Sequence, residues 1–478
     1  MDMTCNSIKF GTDGWRGKIA ADFTYGNLAM VATAAAKVLA DHFPTRSGAP
    51  LVIVGYDRRF MAEDFAKTAA ETVCEAGFDV LLSQTYAPTP AFSWAASAQK
   101  ALGALVITAS HNPATYLGLK VKGSFGGSVS VDITKKIEHK INKHIKGDNR
   151  LGNIKKFDPW PSYCSQLRSK VKIDAITDAM AAEELDIYVD AMHGAAASGL
   201  GRLLGQGIRE INGDRDPTFG GGVPEPLPLY LSKLFRTIRT AARNEPNKLR
   251  VGLVFDGDGD RIAAVDSEGN FLNSQVLIPI LIHHLARGGG LTGEVVKTVS
   301  GSDLIGRVAA LYNLPLFETP IGYKYIAERM LTTSVLIGGE ESGGIGYGSH
   351  IPERDALLSA LYVLEAIVES GKDLSQIYGE LQAKTGFDFA YDRIDLPLES
   401  MEMREILLSR LEKSPPGEIG GISVVDSQAV DGYKFRLADD SWLLIRFSGT
   451  EPILRLYCEA PTLVQVGEIL SWAKDWAS

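Results

Sequence analysis

Five short apolar segments of one kind recur along the chain and limit its fold more than any other feature. LVIVGYDRRF (51–60), ALVITASHNP (104–113), LDIYVDAMHG (185–194), VGLVFDGDGDR (251–261) and VLIGGEESGG (335–344) each run from Val, Leu or Ile into a loop of Gly, Asp or Ser. The pattern predicts a strand, a loop and then a helical segment each time. After the first of them, DFAKTAAETVCEAGF (64–78) places apolar residues at helical spacing and stops at Gly77. Strands alternating with amphipathic helices make an α/β protein with mainly parallel or mixed sheets. In such sheets the loops at the carboxyl ends of the strands build the binding cleft, so several of these loops are expected to face one cavity.

A chain of 478 residues has room for three or four such units. The polar stretch KGDNRLGNIKKFDPWP (146–161) reads as the exit from the first. A junction is expected after the turn-rich Asp266-Ser267-Glu268-Gly269, and FDFAYDRIDLPLESMEMR (387–404) opens a last part of different texture. There, residues 422–460 alternate as antiparallel strands do, which predicts an α+β unit.

Composition narrows the partners. The formal net charge of −9 argues against a general nucleic-acid or membrane-surface role, while leaving room for a local basic pocket. Cys5, Cys74, Cys164 and Cys458 are scattered and form no CxxC pair, so they read as thiols in a reducing compartment. No secretory leader is visible in MDMTCNSIKFGTDG, and no apolar run approaches the ~18 residues of a membrane span. The expected location is the cytoplasm.

The loops themselves carry the chemistry. In DGDGDR, Asp256, Asp258 and Asp260 alternate with glycines that let the backbone curl. Three carboxylates converging on one point need a cation between them, and hard oxygen donors select Mg²⁺ or Ca²⁺. An EF-hand loop would need Gly at its sixth place and Glu at its twelfth; those places hold Arg261 and Ser267. Arg261 beside the trio favours an anionic ligand such as phosphate; a solvated acidic turn is the plain alternative. RFSGTEP (446–452) offers Arg446, Ser448, Thr450 and the amides around Gly449, donors suited to a phosphate monoester, or else an ordinary hairpin turn. GEESGG places Glu340 and Ser342 where they can read neighbouring sugar hydroxyls or cap a helix. TPIGYKYI (319–326) carries Gly322 and Lys324, and FGTDGWRGK (10–18) carries Arg16; alone, each cation reads equally as surface charge.

Ser110 ends one of the strands. Thr108 and Asn112 stand where a hydrolase elbow would need glycines, and adjacent side chains on an extended strand diverge, which leaves His111 poorly placed to activate its neighbour. A serine accompanied by a cation loop and a phosphate loop suggests that it carries a phosphate.

Taken together, FGTDGWRG, TASHNP with Lys120 downstream, DGDGDR, TPIGYKYI, GEESGG and RFSGTEP occur in an order that resembles the α-D-phosphohexomutases, the phosphoglucomutase/phosphomannomutase superfamily. The resemblance implies three related α/β domains and a C-terminal α+β domain like the TATA-box-binding protein, arranged around a central cleft. Their limits would lie near 1–160, 161–268, 269–385 and 386–478. It implies a phosphoserine at Ser110 and Mg²⁺ held by Asp256, Asp258 and Asp260 with a phosphoserine oxygen. Arg16 and Arg261 would support the phosphoryl group, and His111 is counted with the catalytic residues of its motif. Glu340 and Ser342 would bind sugar hydroxyls, Lys324 would assist at the sugar or phosphate with Gly322 among the substrate-binding residues, and Arg446, Ser448, Gly449 and Thr450 would hold the non-reacting phosphate. Lys120 is the candidate base, its pKa expected to be pushed down by the cation and the arginines. The activity implied is exchange between hexose 1- and 6-phosphates, glucose before mannose, with glucose 1,6-bisphosphate as activator and phosphoryl donor. A glucose 1,6-bisphosphate synthase and a non-catalytic phosphosugar-binding protein are the rival readings. The partners implied are small sugar phosphates, with no nucleic acid and no membrane, for a monomer or homodimer. Three positions depart from the family pattern: Leu117 for a common asparagine, Gly344 for a common histidine, and Ala356 where Arg354-Asp355 is often followed by glycine.

Overall fold

A computed structural model describes residues 8–11, 13–43, 50–141, 151–287, 290–448 and 452–478. Its first sheet orders the strands Trp15–Lys18, Tyr116–Gly123, Gly103–Ile107, Leu51–Tyr56, Asp79–Ser83 and Ile154–Phe157. The second runs Phe271–Leu272, Ile262–Val265, Leu249–Phe255, Leu185–Asp190 and Ile208–Ile211; the third runs Leu316–Thr319, Glu294–Thr298, Val335–Gly339 and Ile345–Tyr347. Each is parallel through its centre, as the Val/Ile-rich runs require of strands buried on both faces.

One feature common to the three sheets differs from the sequence expectation. Gly103–Ile107, Leu249–Phe255 and Val335–Gly339 do not lead into helices; each is followed by an antiparallel return strand. The loops are too short for a crossover, and the segments beyond them (LGLKVKG, IAAV, IGY) are themselves strand-forming. The motif loops of residues 108–115, 256–261 and 340–344 are therefore the tips of hairpins, equivalent in the three units. The first segment does continue into a helix, Ala62–Glu75, with Gly77 at a positive φ just beyond it. The turn 266–269 joins two strands of the second sheet, which extends to Leu272.

The last unit is the antiparallel sheet expected, in the order Ala390–Pro397, Ile453–Ala460, Trp442–Phe447, Tyr433–Leu437, Ile422–Gln428 and Glu418–Ile419. Helices Met401–Lys413 and Leu463–Ala477 contribute Leu407, Leu411, Val466, Ile469 and Ala473 to its core.

One apolar cluster runs through the first three units, from Ile53 and Phe92 through Phe255 to Ile337. Helix Ala356–Ser370 is buried on every side from Ala356 to Ile367, as a helix wedged between units must be. This shared core fixes the three hairpin tips relative to one another. The last unit has its own core and meets the third through Val299, Trp442, Leu444 and Tyr457. Cys74, Cys164 and Cys458 are buried free thiols; Cys5 lies outside the described residues. Among the described residues no helix is long and apolar enough to cross a membrane.

Candidate active site

Ser110 stands at the tip of its hairpin with φ 51°, a conformation held by its amide donating to Thr108 Oγ1 at 2.9 Å and by Arg59 Nη2 donating to its carbonyl at 2.6 Å. The left-handed turn aims Ser110 Oγ at the second unit, 2.9 Å from Asp256 Oδ2. It also brings His111 Nδ1 to 3.4 Å from the same oxygen, because the chain there is no longer extended. Burial, with Arg261 and Arg16 nearby, holds His111 well below the usual imidazole range, so it is a neutral ring.

Asp256, Asp258 and Asp260 are fully buried, and each presents an oxygen within 4.8 Å of the others. Asp256 Oδ1 is taken by the amides of Asp260 and Arg261, and Asp258 Oδ2 by Thr89 Oγ1 and Lys120. Asp258 Oδ1 and Asp260 Oδ1 have no hydrogen-bond partner among the described residues. Two orphaned buried carboxylate oxygens beside a third carboxylate and a serine hydroxyl make an all-oxygen set that can hold a hard divalent cation.

Lys120 departs from its expectation. Its Nζ lies 2.8 Å from Asp13 Oδ2, 2.8 Å from Asp258 Oδ2 and 2.7 Å from Asp260 Oδ2. Burial pulls its pKa down, but the three carboxylates outweigh burial and hold it above the ordinary lysine value. Arg16 Nη1 donates to Asn112 Oδ1 at 2.5 Å, and Arg261 keeps a buried Nε with no partner among the described residues.

The sugar-side loop is joined to the metal loop through backbone. Arg261 bridges Gly344, and the Ile262 amide donates to Gly343 O at 3.0 Å. Glu340 is buried and its Oε1 accepts from the Gly322 amide at 3.0 Å; Ser342 is half-buried two residues on. Gly322 leads helix Tyr323–Thr332, whose first turn carries Lys324; partial burial lowers that lysine's pKa. The neighbouring Glu341 pairs with Arg393 of the last unit at 2.8 Å.

From the last unit, Arg446 Nε donates to Asp431 Oδ2 at 3.1 Å, and the same oxygen accepts the Ile321 amide at 2.9 Å. Ser448 is buried beside it; Gly449 and Thr450 lie outside the described residues. All four motif-bearing units thus connect through contacts: Ser110 to Asp256, Arg261 to Gly344, and Ile321 through Asp431 to Arg446.

The departures acquire physical meanings. Leu117 is fully buried in the first unit's core and does not face the site. Ala356 begins the buried helix, capped by Asp355. A Cβ on Gly344 would stand 2.2 Å from Arg354 Cδ. Sequence reasoning missed Asp13, Arg354, Thr89 and Asp431 as parts of the site. Asp13 is the acidic residue inside FGTDGWRG, a signal that was available; nothing in the sequence brings Thr89 to Asp258.

A serine aimed at a buried carboxylate trio, with arginines beside it, is an arrangement suited to phosphoryl transfer. The chain matches the models of phosphoglucomutase/phosphomannomutase α/β/α domain I over residues 7–148, domain II over 161–269, domain III over 273–385 and the C-terminal domain over 411–471. It is 28% identical over 473 residues to a phosphoglucomutase/phosphomannomutase of Thermococcus kodakarensis, covering 96% of each chain. It is also 28% identical over 490 residues to a phosphoglucosamine mutase of Limosilactobacillus fermentum, covering 98% of this chain and 97% of that one. A Thermus thermophilus crystal structure assigned to a phosphomannomutase superposes with a TM-score of 0.84 at 32% identity, over 98% of both chains. The chain belongs to the phosphoglucomutase/phosphomannomutase family, in the α-D-phosphohexomutase superfamily, and is an isomerase of the intramolecular phosphotransferase kind.

Proposed function

We propose that this enzyme interconverts hexose 1- and 6-phosphates, glucose before mannose, through a phosphoserine at Ser110 and a 1,6-bisphosphate. The observation that carries the reading is the 2.9 Å approach of Ser110 Oγ to Asp256, beside two unpartnered carboxylate oxygens. Asp256, Asp258 and Asp260 would hold Mg²⁺, which when bound would supply charge neutralisation for the phosphoryl oxygens. Arg16 and Arg261 orient the phosphoryl group, and Glu340 and Ser342 hold sugar hydroxyls. In its neutral amine form Lys120 would take the proton of the attacking hydroxyl, and neutral His111 would steady Ser110 Oγ. Gly322 and Lys324 support the sugar side. Arg446 and Ser448, with Gly449 and Thr450, keep the far phosphate in place while the near end reacts. Phosphoryl transfer asks a protein for alignment and charge stabilisation more than for covalent help, and these groups supply both. Glucose 1,6-bisphosphate would prime Ser110 as activator and donor.

The relatives' names divide between glucose or mannose and glucosamine. Glucose is favoured here because the Glu341 carboxylate is engaged by Arg393 of the last unit, which leaves it poorly free to meet a substrate amine. The remaining particulars of the reading are domain limits near 160, 268 and 385, a cytoplasmic location, and a monomer or homodimer.

The test has two parts. Phosphopeptide mapping after incubation with glucose 1,6-bisphosphate should place the modification on Ser110, and S110A should carry none; an unmodified Ser110 defeats the reading. Timed assays on the 1-phosphates of glucose, mannose and glucosamine should then yield the 6-phosphate of glucose fastest. Free bisphosphate accumulating as the end product would identify the synthase instead.

A further inference from the structure

We propose that Arg354 is the positioning residue that sets the spacing between the carboxylate trio and the sugar-reading loop. Its guanidinium meets three loops and a helix at once. Nη2 donates to Asp260 Oδ2 at 2.7 Å and to Asp13 Oδ2 at 2.5 Å. Nη1 lies 3.6 Å from Glu340 Oε2, and the guanidinium carbon stands 5.4 Å from the centre of the Tyr323 ring, next to Lys324. Those partners come from the Arg16 turn, the metal loop, the sugar loop and the Lys324 helix. Arg354 itself is only 5% exposed, and the residue after it caps the buried helix Ala356–Ser370, so its backbone has a rigid origin.

The fork is what the position uses. By binding Asp260 through Oδ2, Nη2 leaves Asp260 Oδ1 without a partner among the described residues, while Nη1 lies toward Glu340 of the sugar loop. Two separate nitrogens on a planar group hold the two loops a fixed distance apart. A lysine at 354 would keep the charge and lose that spacing.

Gly344 supplies an independent argument. Its φ is not among the positive values, so its backbone conformation does not demand glycine. Space does: a Cβ would meet Arg354 Cδ at 2.2 Å and Cγ at 3.0 Å. Glycine at 344 is the gap through which the arginine reaches Asp260, and the two residues act as one device.

The proposal rests on the mutase reading, and its test keeps the two apart. R354K, R354A, G344A and the doubles R354K/G344A and R354A/G344A are compared with wild type. Turnover is counted per Ser110-phosphorylated site rather than per protein. R354K and G344A should each lower kcat per site by about 10- to 100-fold, the cost of misaligning groups by roughly 1 Å. Because they disable one device, R354K/G344A should fall less than about threefold below the worse single variant. Unchanged turnover per phosphorylated site, or losses that multiply, would overturn the proposal. A second measurement needs no activity. G344A should lower the thermal midpoint by several degrees in the native background and by about 1 °C or less beside R354A, where the space is vacant; an equal drop in both backgrounds would also overturn it. A wild-type enzyme that transfers no phosphoryl group would fail the mutase reading alone, and the midpoints would still judge the Arg354–Gly344 device.

Discussion

Lys120 shows how far one side chain's chemistry depends on what shares its neighbours. Burial alone would favour a neutral amine, and an amine is what a base requires. In the structure Asp13, Asp258 and Asp260 surround Nζ and reverse the sign. The same ammonium, aided by Thr89 and Arg354, holds Asp258 below the usual carboxylate range although burial pushes it up. A divalent cation held by the unpartnered Oδ1 atoms of Asp258 and Asp260 would offset two of the three charges that keep Lys120 protonated. K120M, assayed with saturating Mg²⁺ and with its fold verified, should lose roughly 10²- to 10⁴-fold in kcat, the usual weight of a positioned proton acceptor. KM for the sugar phosphate should change far less, because the contacts proposed to hold sugar and distal phosphate lie elsewhere. Steady-state kinetics decide the matter: an undiminished kcat removes Lys120 from proton transfer.

The hairpin is the element on which the site is built, repeated in three units with different cargo. Ser110, the carboxylate trio and Glu340 each occupy the tip between a parallel strand and its antiparallel return. Tip residues were legible in the sequence, because clustered Asp, Ser, Glu and Gly after an apolar run have few structural uses. What followed the tips was not. Short apolar runs such as IAAV suit a strand or a buried helix, and periodicity does not separate the two over four residues. Arg354 and Thr89 were obscured for another reason: their partners are distant in sequence, and pattern carries no information about which loops will meet. A Cβ on Gly257 would lie 2.3 Å from the Ser110 carbonyl oxygen and 2.9 Å from Pro224 Cγ. G257A should thus push the serine tip off the metal tip, costing about 1–3 kcal/mol of stability as overpacking does and on the order of 10²-fold in kcat through misalignment. Urea unfolding and kinetics on the same preparation test both; a wild-type kcat with reduced stability would show that the two tips need no close contact.

Across the whole molecule the first three units share a core, whereas the last is tied on by a few specific contacts. Its α+β texture was readable from strict alternation in residues 422–460, but the charged seam joining it to the third unit was not. Lys434 lies at the centre of that seam, fully buried, donating to Val299 O at 2.8 Å and 4.1 Å from the centre of the Trp442 ring. Around it stand Lys297, Asp303, Glu318 and Arg436; Glu318 Oε2 is 3.8 Å away. Burial, with Lys297 close by, pushes Lys434 down to about 7 from the ordinary lysine value of 10.5. Between those values the unfolded chain carries a proton that the native protein lacks, so native stability rises with pH across that window and is lowest at and below neutrality. The full span is worth about 4–5 kcal/mol. K434M removes the titrating group and leaves Val299 O without its donor, a loss of about 1–3 kcal/mol. At pH 7 the variant should accordingly be the more stable protein by roughly 2–3 kcal/mol. Its advantage should shrink as pH rises and be reversed near pH 10, where the cost of stripping the proton from the wild-type lysine on folding has fallen to about 1 kcal/mol, below the worth of the lost hydrogen bond. Urea midpoints of both proteins at several pH values between 7 and 10 measure this directly. A difference that stays constant with pH would mean that Lys434 remains an ammonium in the seam, neutralised there by Glu318 and Asp303.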